Sequence, residues 1–170
     1  SKGYELYIDV DLVSNIWDQL FLNGEKYQIQ AIGLGARDTL RMEMGYCLYG
    51  NDIDSNRTPI EAGLSWIVDM KKQFIGKSKL LNQISNGVSE KLIGFILTEK
   101  GIPRKGYQII NKNEKVIGSV TSGTMSPFLN KPIGMGYVLS KEAYVDNQIF
   151  ILIRGKKIKA KIVKTPFYAK

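Results

Sequence analysis

From residue 91 to residue 163 the chain carries six short apolar runs, each cut off by turn-forming residues, and this rhythm restricts the fold more than any other feature. The runs cover residues 91–98, 107–111, 116–121, 133–139, 148–154 and 157–163. Lys112-Asn113-Glu114 and Arg154-Gly155 have the composition of hairpin turns. Strands this short and this closely spaced must hide their edges, so the pattern predicts a small closed or nearly closed antiparallel β-barrel of six strands. The last run shows the face assignment: Ile158, Ala160 and Ile162 alternate with Lys157, Lys159 and Lys161, which predicts a half-buried strand with a solvated lysine face.

Upstream the texture differs. Tyr4, Leu6, Ile8 and Val10 alternate with Glu5, Tyr7 and Asp9, which predicts a strand over residues 4–10. Leu12, Val13, Ile16, Trp17, Leu20 and Phe21 then recur at helical spacing behind Asp11, an expected N-cap, and the segment stops at Asn23-Gly24. A strand over 28–32, a helix over 36–44 ended by Gly45, a strand over 60–68 and a helix over 77–85 closed by Asn86-Gly87 complete this part. The expected class is α+β, with a boundary near residues 87–90 that separates a mixed part, 1–88, from a barrel, 89–170. No internal repeat and no low-complexity tract is found.

Composition removes several kinds of chemistry. Histidine is absent and Cys47 is the single cysteine, so there is no Ser-His or Cys-His nucleophile pair, no intrachain disulfide and no zinc site of several thiolates. No metal site is expected: Asn51, Asp52 and Asp54 lack the spacing of a twelve-residue calcium loop and read as turn-forming acids. No apolar run approaches the ~20 residues that span a bilayer, and no basic-then-apolar leader precedes the first strand pattern, so the expected setting is cytoplasmic rather than membrane-inserted or secreted. A net charge of +8 raises RNA or an acidic protein as partners, but the lysine face is first explained by solubility and edge protection.

The run GLGARDTLRMEMGYCLYGNDID, residues 33–54, closely resembles the signature of the glycine cleavage system T-protein, an aminomethyltransferase. PIEAGLSWIVD from Pro59, FIGKSKLL from Phe74, EKLIGF from Glu90 and TSGTMSP from Thr121 continue the resemblance in the family's order. The opening SKGYELYIDV matches a stretch past the family's midpoint, so the chain is similar to the carboxy-terminal portion of such an enzyme. The fold this implies is the C-terminal half of the folate-binding α/β domain followed by a six-stranded Greek-key-like barrel.

The implied activity is transfer of a one-carbon unit from the aminomethyl group on the lipoyl arm of H-protein to tetrahydrofolate, with release of ammonia. Glu5, in the GYE motif, matches a folate-contacting glutamate; a carboxylate can accept the amide N–H and exocyclic amine of a pterin as a charge-assisted fork. Arg37, in GARD, matches the family's folate-contacting arginine, and its planar guanidinium suits either orienting Glu5 or clamping a carboxylate of the folate tail. Arg41, one turn on, reads as an ion pair that fixes the helix. Tyr49 and Trp66 are placed near the folate cleft by the resemblance, and with Tyr46 they read equally as core aromatics. Arg104 either reaches the anionic tail or is a plain surface arginine, and TSGTMSP reads as a sharp strand-ending turn. The family's key aspartate lies in the other half, so no catalytic residue is expected here. Folate-dependent demethylases and sarcosine-dehydrogenase-like proteins share the scaffold and stay open as alternatives. The iron–sulfur-linked branch ranks lower, because GYCLYGNDID lacks its Gln-Glu pair.

Overall fold

The computed structural model describes residues 3–168 and divides into two compact units, Ser1–Leu34 and Gly35–Lys170. The first unit is built on helix α1, Val13–Gly24, preceded by the 3₁₀ turn Val10–Leu12 and followed by another, Glu25–Tyr27. Trp17 and Phe21, four residues apart, stack with ring centroids 4.9 Å apart. The expected cap at Asp11 is not used: Asp11 lies inside the first 3₁₀ turn, and neither it nor α1 has a side-chain capping bond.

The second unit holds helix α2, Leu34–Glu43, helix α3, Lys77–Asn86, and six strands. These are β1, Glu90–Leu97; β2, Gln108–Ile110; β3, Val116–Ser126; β4, Lys131–Leu139; β5, Gln148–Ile153; and β6, Lys156–Val163. They close into an antiparallel barrel in the order β1-β4-β3-β2-β5-β6. Strands β2, β3 and β4 follow one another and β1 lies beside β4, which is the Greek-key arrangement the resemblance implies, on the six-stranded barrel the spacing predicts. Arg154 and Gly155 both have positive φ, 49° and 77°, as a two-residue hairpin between right-twisted strands requires.

The barrel interior is a continuous apolar cluster that includes Ile93, Phe95, Ile109, Val120, Val138, Ile149, Ile151 and Ile162. A second cluster, Met42, Ile133, Met135 and Phe167, seats α2 on the barrel. In the pairing of β1 with β4, Phe95 faces Gly134, where a Cβ would lie 2.3 Å from the ring. Glycine there gives the ring its place across the strand.

Three expected strands are not formed. Residues 4–9 form no regular element and pair with no strand among the described residues, Val10 already belongs to the 3₁₀ turn, and Tyr4, Leu6 and Val10 are exposed; an isolated alternating segment has nowhere to send its backbone hydrogen bonds. Residues 28–32 are diverted by the end of the preceding turn: Gln28 is left-handed at φ 57°, and Gln28 N–H and Ile29 N–H donate back to the carbonyls of Glu25 and Gly24. Residues 60–68 wind through helical turns, with Ala62 N–H donating to Thr58, Leu64 N–H to Pro59 and a 3₁₀ turn at Ser65–Ile67. Gly63, at φ 70°, breaks any strand there.

TSGTMSP is also not a turn in its first six residues, since β3 runs on to Ser126 and the reversal follows at residues 127–130. Gly123 has a different reason: a Cβ would stand 2.2 Å from the Pro103 carbonyl oxygen. Replacing Phe95, which is fully buried, by Ala in the intact protein should lower unfolding stability by about 3–5 kcal/mol, read from the urea midpoint. A midpoint unchanged within error would show that the Phe95–Gly134 contact is not part of the core.

Candidate functional site

Helix α2 ends in a sharp turn at Gly45, φ 68°, where the side chain of Thr165 fills the space a Cβ would need. The loop from Tyr46 to Ile53 then folds back on itself: Asp52 N–H donates to Leu48 O at 2.9 Å and Gly50 N–H to Ile53 O at 2.8 Å. Tyr49 stands on this loop with its side chain 73% exposed, and no hydrogen bond to it is found among the described residues. Trp66, 81% exposed, is the middle residue of the 3₁₀ turn Ser65–Ile67. Both aromatic candidates are therefore surface groups and not core packing. Trp66 and Tyr46 line one hollow of about 310 Å³ together with Cys47, Leu64 and Met135.

Arg104 is exposed in the connection from β1 to β2 and donates through Nη1 to Gly123 O at 3.2 Å. Its neighbour Lys105 reaches the Tyr49 loop, donating from Nζ to Gly50 O at 2.7 Å and to Asn51 Oδ1 at 3.0 Å. Tyr49 and Arg104 therefore stand on loops that are tied together. Glu5 belongs to the first unit, is exposed, and accepts a hydrogen bond from Tyr7 Oη at 3.2 Å.

The two arginines of α2 part company. Arg37 is exposed, and no ion pair or hydrogen bond to it is found among the described residues. Asp38 and Glu43, the acids that could have held it, are engaged elsewhere: Asp38 with Arg41, Glu43 with Ser126 Oγ at 2.5 Å and Phe128 N–H at 3.3 Å. Arg41 is 9% exposed and spends its donors on Asp38 Oδ1 at 2.7 Å, Tyr46 O at 3.1 Å, Asp52 Oδ2 at 2.5 Å and Ser122 Oγ at 2.9 Å. One-turn spacing does not put both on the same ground.

Asp52, read from the sequence as a turn acid, is instead 1% exposed. Its Oδ2 accepts from Arg41 and from Leu48 N–H at 2.9 Å, its Oδ1 from Thr121 Oγ1 at 2.5 Å, and its backbone oxygen from Tyr137 Oη at 2.9 Å. Taking one partner out of such a pair costs about 3–5 kcal/mol, because the other charge is left buried. Asp54 does behave as a turn acid, accepting Asn56 N–H at 2.8 Å. Nothing in the spacing of Arg41 and Asp52 marks them as a pair. The adjacent hydroxyls Thr121 and Ser122 inside an apolar strand were the available signal.

Beside this pair, the guanidinium of Arg57 lies 3.9 Å over the Tyr137 ring and bonds Glu90 at 2.6 Å. Burial alone would lower the Arg57 pKa, and the bond and charge of Glu90 outweigh it, so the guanidinium is held in its charged form. Burial pushes the Tyr137 phenol up, away from ionisation. Burial likewise pushes the Cys47 thiol up to about 11, with Asp52 adding to the rise and Arg41 opposing it.

Residues 1–72 match the family model described as the GCVT N-terminal domain, and residues 90–169 match that of the glycine cleavage T-protein C-terminal barrel domain. The chain belongs to the glycine cleavage T-protein family. It is 51% identical over 167 residues to the aminomethyltransferase of Bacteroides thetaiotaomicron, covering 97% of this chain and 46% of that protein. It is 48% identical over 170 residues to that of Flavobacterium psychrophilum, covering 100% and 47%. The crystal structure of glycine cleavage system aminomethyltransferase T from Bartonella henselae superposes with a TM-score of 0.84 at 32% identity, over 95% of this chain and 45% of that one. The chain thus spans about half the length of the T-protein relatives it matches.

Cys47 gives this site a measurable signature. Alkylation of Cys47 should rise with pH toward a midpoint near the value of about 11, and Asp52→Asn, which removes a raising charge and leaves Arg41, should move that midpoint down. A midpoint unmoved in the folded variant would contradict the proximity of Asp52 to the thiol.

Proposed function

We propose that this chain supplies folate-facing elements of an aminomethyltransferase of the glycine cleavage system, with residues 1–88 the C-terminal part of its folate-binding domain and residues 89–170 its barrel. The intact protein then transfers a one-carbon unit from aminomethyl-dihydrolipoyl H-protein to tetrahydrofolate and releases ammonia, in the cytoplasm. The observation that carries this reading is the membership of the T-protein family, at about half identity along the whole chain. The geometry supports it: among the described residues Arg37 has no partner on a helix whose other polar groups are engaged, and Tyr49 and Trp66 keep flat faces exposed.

Each candidate has a chemical role in that reading. Glu5 accepts the pterin N–H donors, and the Tyr7 hydroxyl fixes its carboxylate. Arg37 meets a carboxylate of the folate tail. Tyr49 and Trp66 offer rings to the heterocycle, and Arg104 adds positive charge toward the tail. These groups position the substrate. The carboxylate that supports deprotonation of the folate nitrogen belongs to the half of the family's sequence that this chain does not match, so no catalytic residue is assigned here.

The competing class, a basic barrel that binds RNA, draws on the lysine face of β6. Two of its three lysines are committed within the protein: Lys157 is paired with Glu114, and Lys161 with Asp146 at 2.6 Å. That weakens the face as a phosphate-binding surface.

In the intact protein, Glu5→Ala or Arg37→Ala should each weaken tetrahydrofolate binding roughly tenfold or more, the loss of a charged hydrogen bond, while Lys159→Ala leaves it unchanged. Unchanged binding in both of the first two variants would remove the folate reading. Salt-steep RNA binding lost in Lys159→Ala would install the other.

A further inference from the structure

We propose that Arg41 is a positioning residue, acting through Asp52 to hold the Tyr46–Ile53 loop against β3 and so to set where Tyr49 stands. The proposal rests on the reading of Tyr49 as a folate contact given above. Tyr49 has no side-chain bond of its own among the described residues, so the backbone of its loop fixes its ring. That backbone is held at its two ends by one pair of charges. Arg41 takes Tyr46 O at the start of the loop, and Asp52 returns to Leu48 N–H from the far end.

The pair is anchored to the barrel by a local irregularity in β3. Val120 pairs with Gly136 and Ser122 with Met135, which leaves Thr121 as the extra residue of a bulge. Neighbouring side chains on a regular strand point to opposite faces. At the bulge Thr121 and Ser122 instead both reach the charge pair, one donating to Asp52 and the other accepting from Arg41. The bulge, the pair and the loop form one unit, and Tyr49 is at its tip.

An asparagine at position 52 keeps the shape but has one acceptor oxygen where Asp52 offers two. Its amide would turn two donor hydrogens toward Arg41 and Leu48 N–H or toward the Thr121 hydroxyl. Thr121→Val is milder: it removes one donor to Asp52 and leaves the ion pair intact.

The test uses the intact protein with Asp52→Asn, Thr121→Val, Tyr49→Ala and the Asp52→Asn/Tyr49→Ala double variant. Amide exchange of residues 48–52 should quicken roughly tenfold or more in Asp52→Asn, and to a lesser degree in Thr121→Val, while β5 amides keep the wild-type rate. The tetrahydrofolate KM should rise in Asp52→Asn with kcat within about twofold, and the double variant should be no worse than Tyr49→Ala alone. Loop exchange at the wild-type rate in both single variants, or KM effects of Asp52→Asn and Tyr49→Ala that add, overturns the proposal. Wild-type folate binding in Tyr49→Ala instead refutes the folate contact, and the exchange rates then decide by themselves whether Arg41 and Asp52 hold the loop.

Discussion

The guanidinium of Arg41 and the carboxylate of Asp52 are taken out of water together, and much of the second unit is arranged around the cost of doing so. An ion pair at this depth is tolerable only when its remaining donors and lone pairs are used. Here they are used by groups from three separate elements: backbone of the loop after α2, hydroxyls of the β3 bulge and the Asp38 carboxylate of the helix itself. Each bond that offsets desolvation also ties two elements together. Polar satisfaction and tertiary geometry are the same requirement at this point.

Glu43 repeats the device two residues nearer the end of α2, where its carboxylate accepts Ser126 Oγ and Phe128 N–H at the far end of β3. Met42, between the two polar residues, enters the apolar cluster with Ile133 and Met135. Three consecutive residues therefore anchor the last turn of α2 through a charge pair, a hydrophobic contact and a carboxylate bond. Among the described residues the first turn carries no such polar anchors, and Arg37 on it stays at the surface.

The barrel was legible because its information is local. Alternation and turn chemistry mark where each short strand lies and which face it buries almost without reference to anything else, and β6 shows it residue by residue. The segments 4–10 and 60–68 were misread because alternation says only that a strand could form, whereas a strand exists only where a neighbour accepts its hydrogen bonds. Asp52 was misread for the opposite reason. Its surroundings in sequence, Gly50, Asn51 and Asp54, are those of a solvated turn, and its burial comes from Thr121 and Tyr137, distant along the chain. The bulge that delivers Thr121 is a register shift of one residue and leaves no mark on composition.

Arg37 and Arg41 are the same side chain on the same helix, and what separates them is accounting of donors. Guanidinium offers five N–H groups in a fixed fork. In Arg41 they are spent on a carboxylate pair, a carbonyl and a hydroxyl, which fixes the group and leaves little to offer a ligand. In Arg37 none is spent within the described residues, and the acids nearest to it in sequence are held by Arg41 and Ser126. Because Arg41 satisfies Asp38 and Ser126 satisfies Glu43, the structural network among the described residues closes without Arg37. A charged fork that this network does not need can meet a carboxylate from outside, and that is the physical ground on which recognition is proposed for Arg37 and positioning for Arg41.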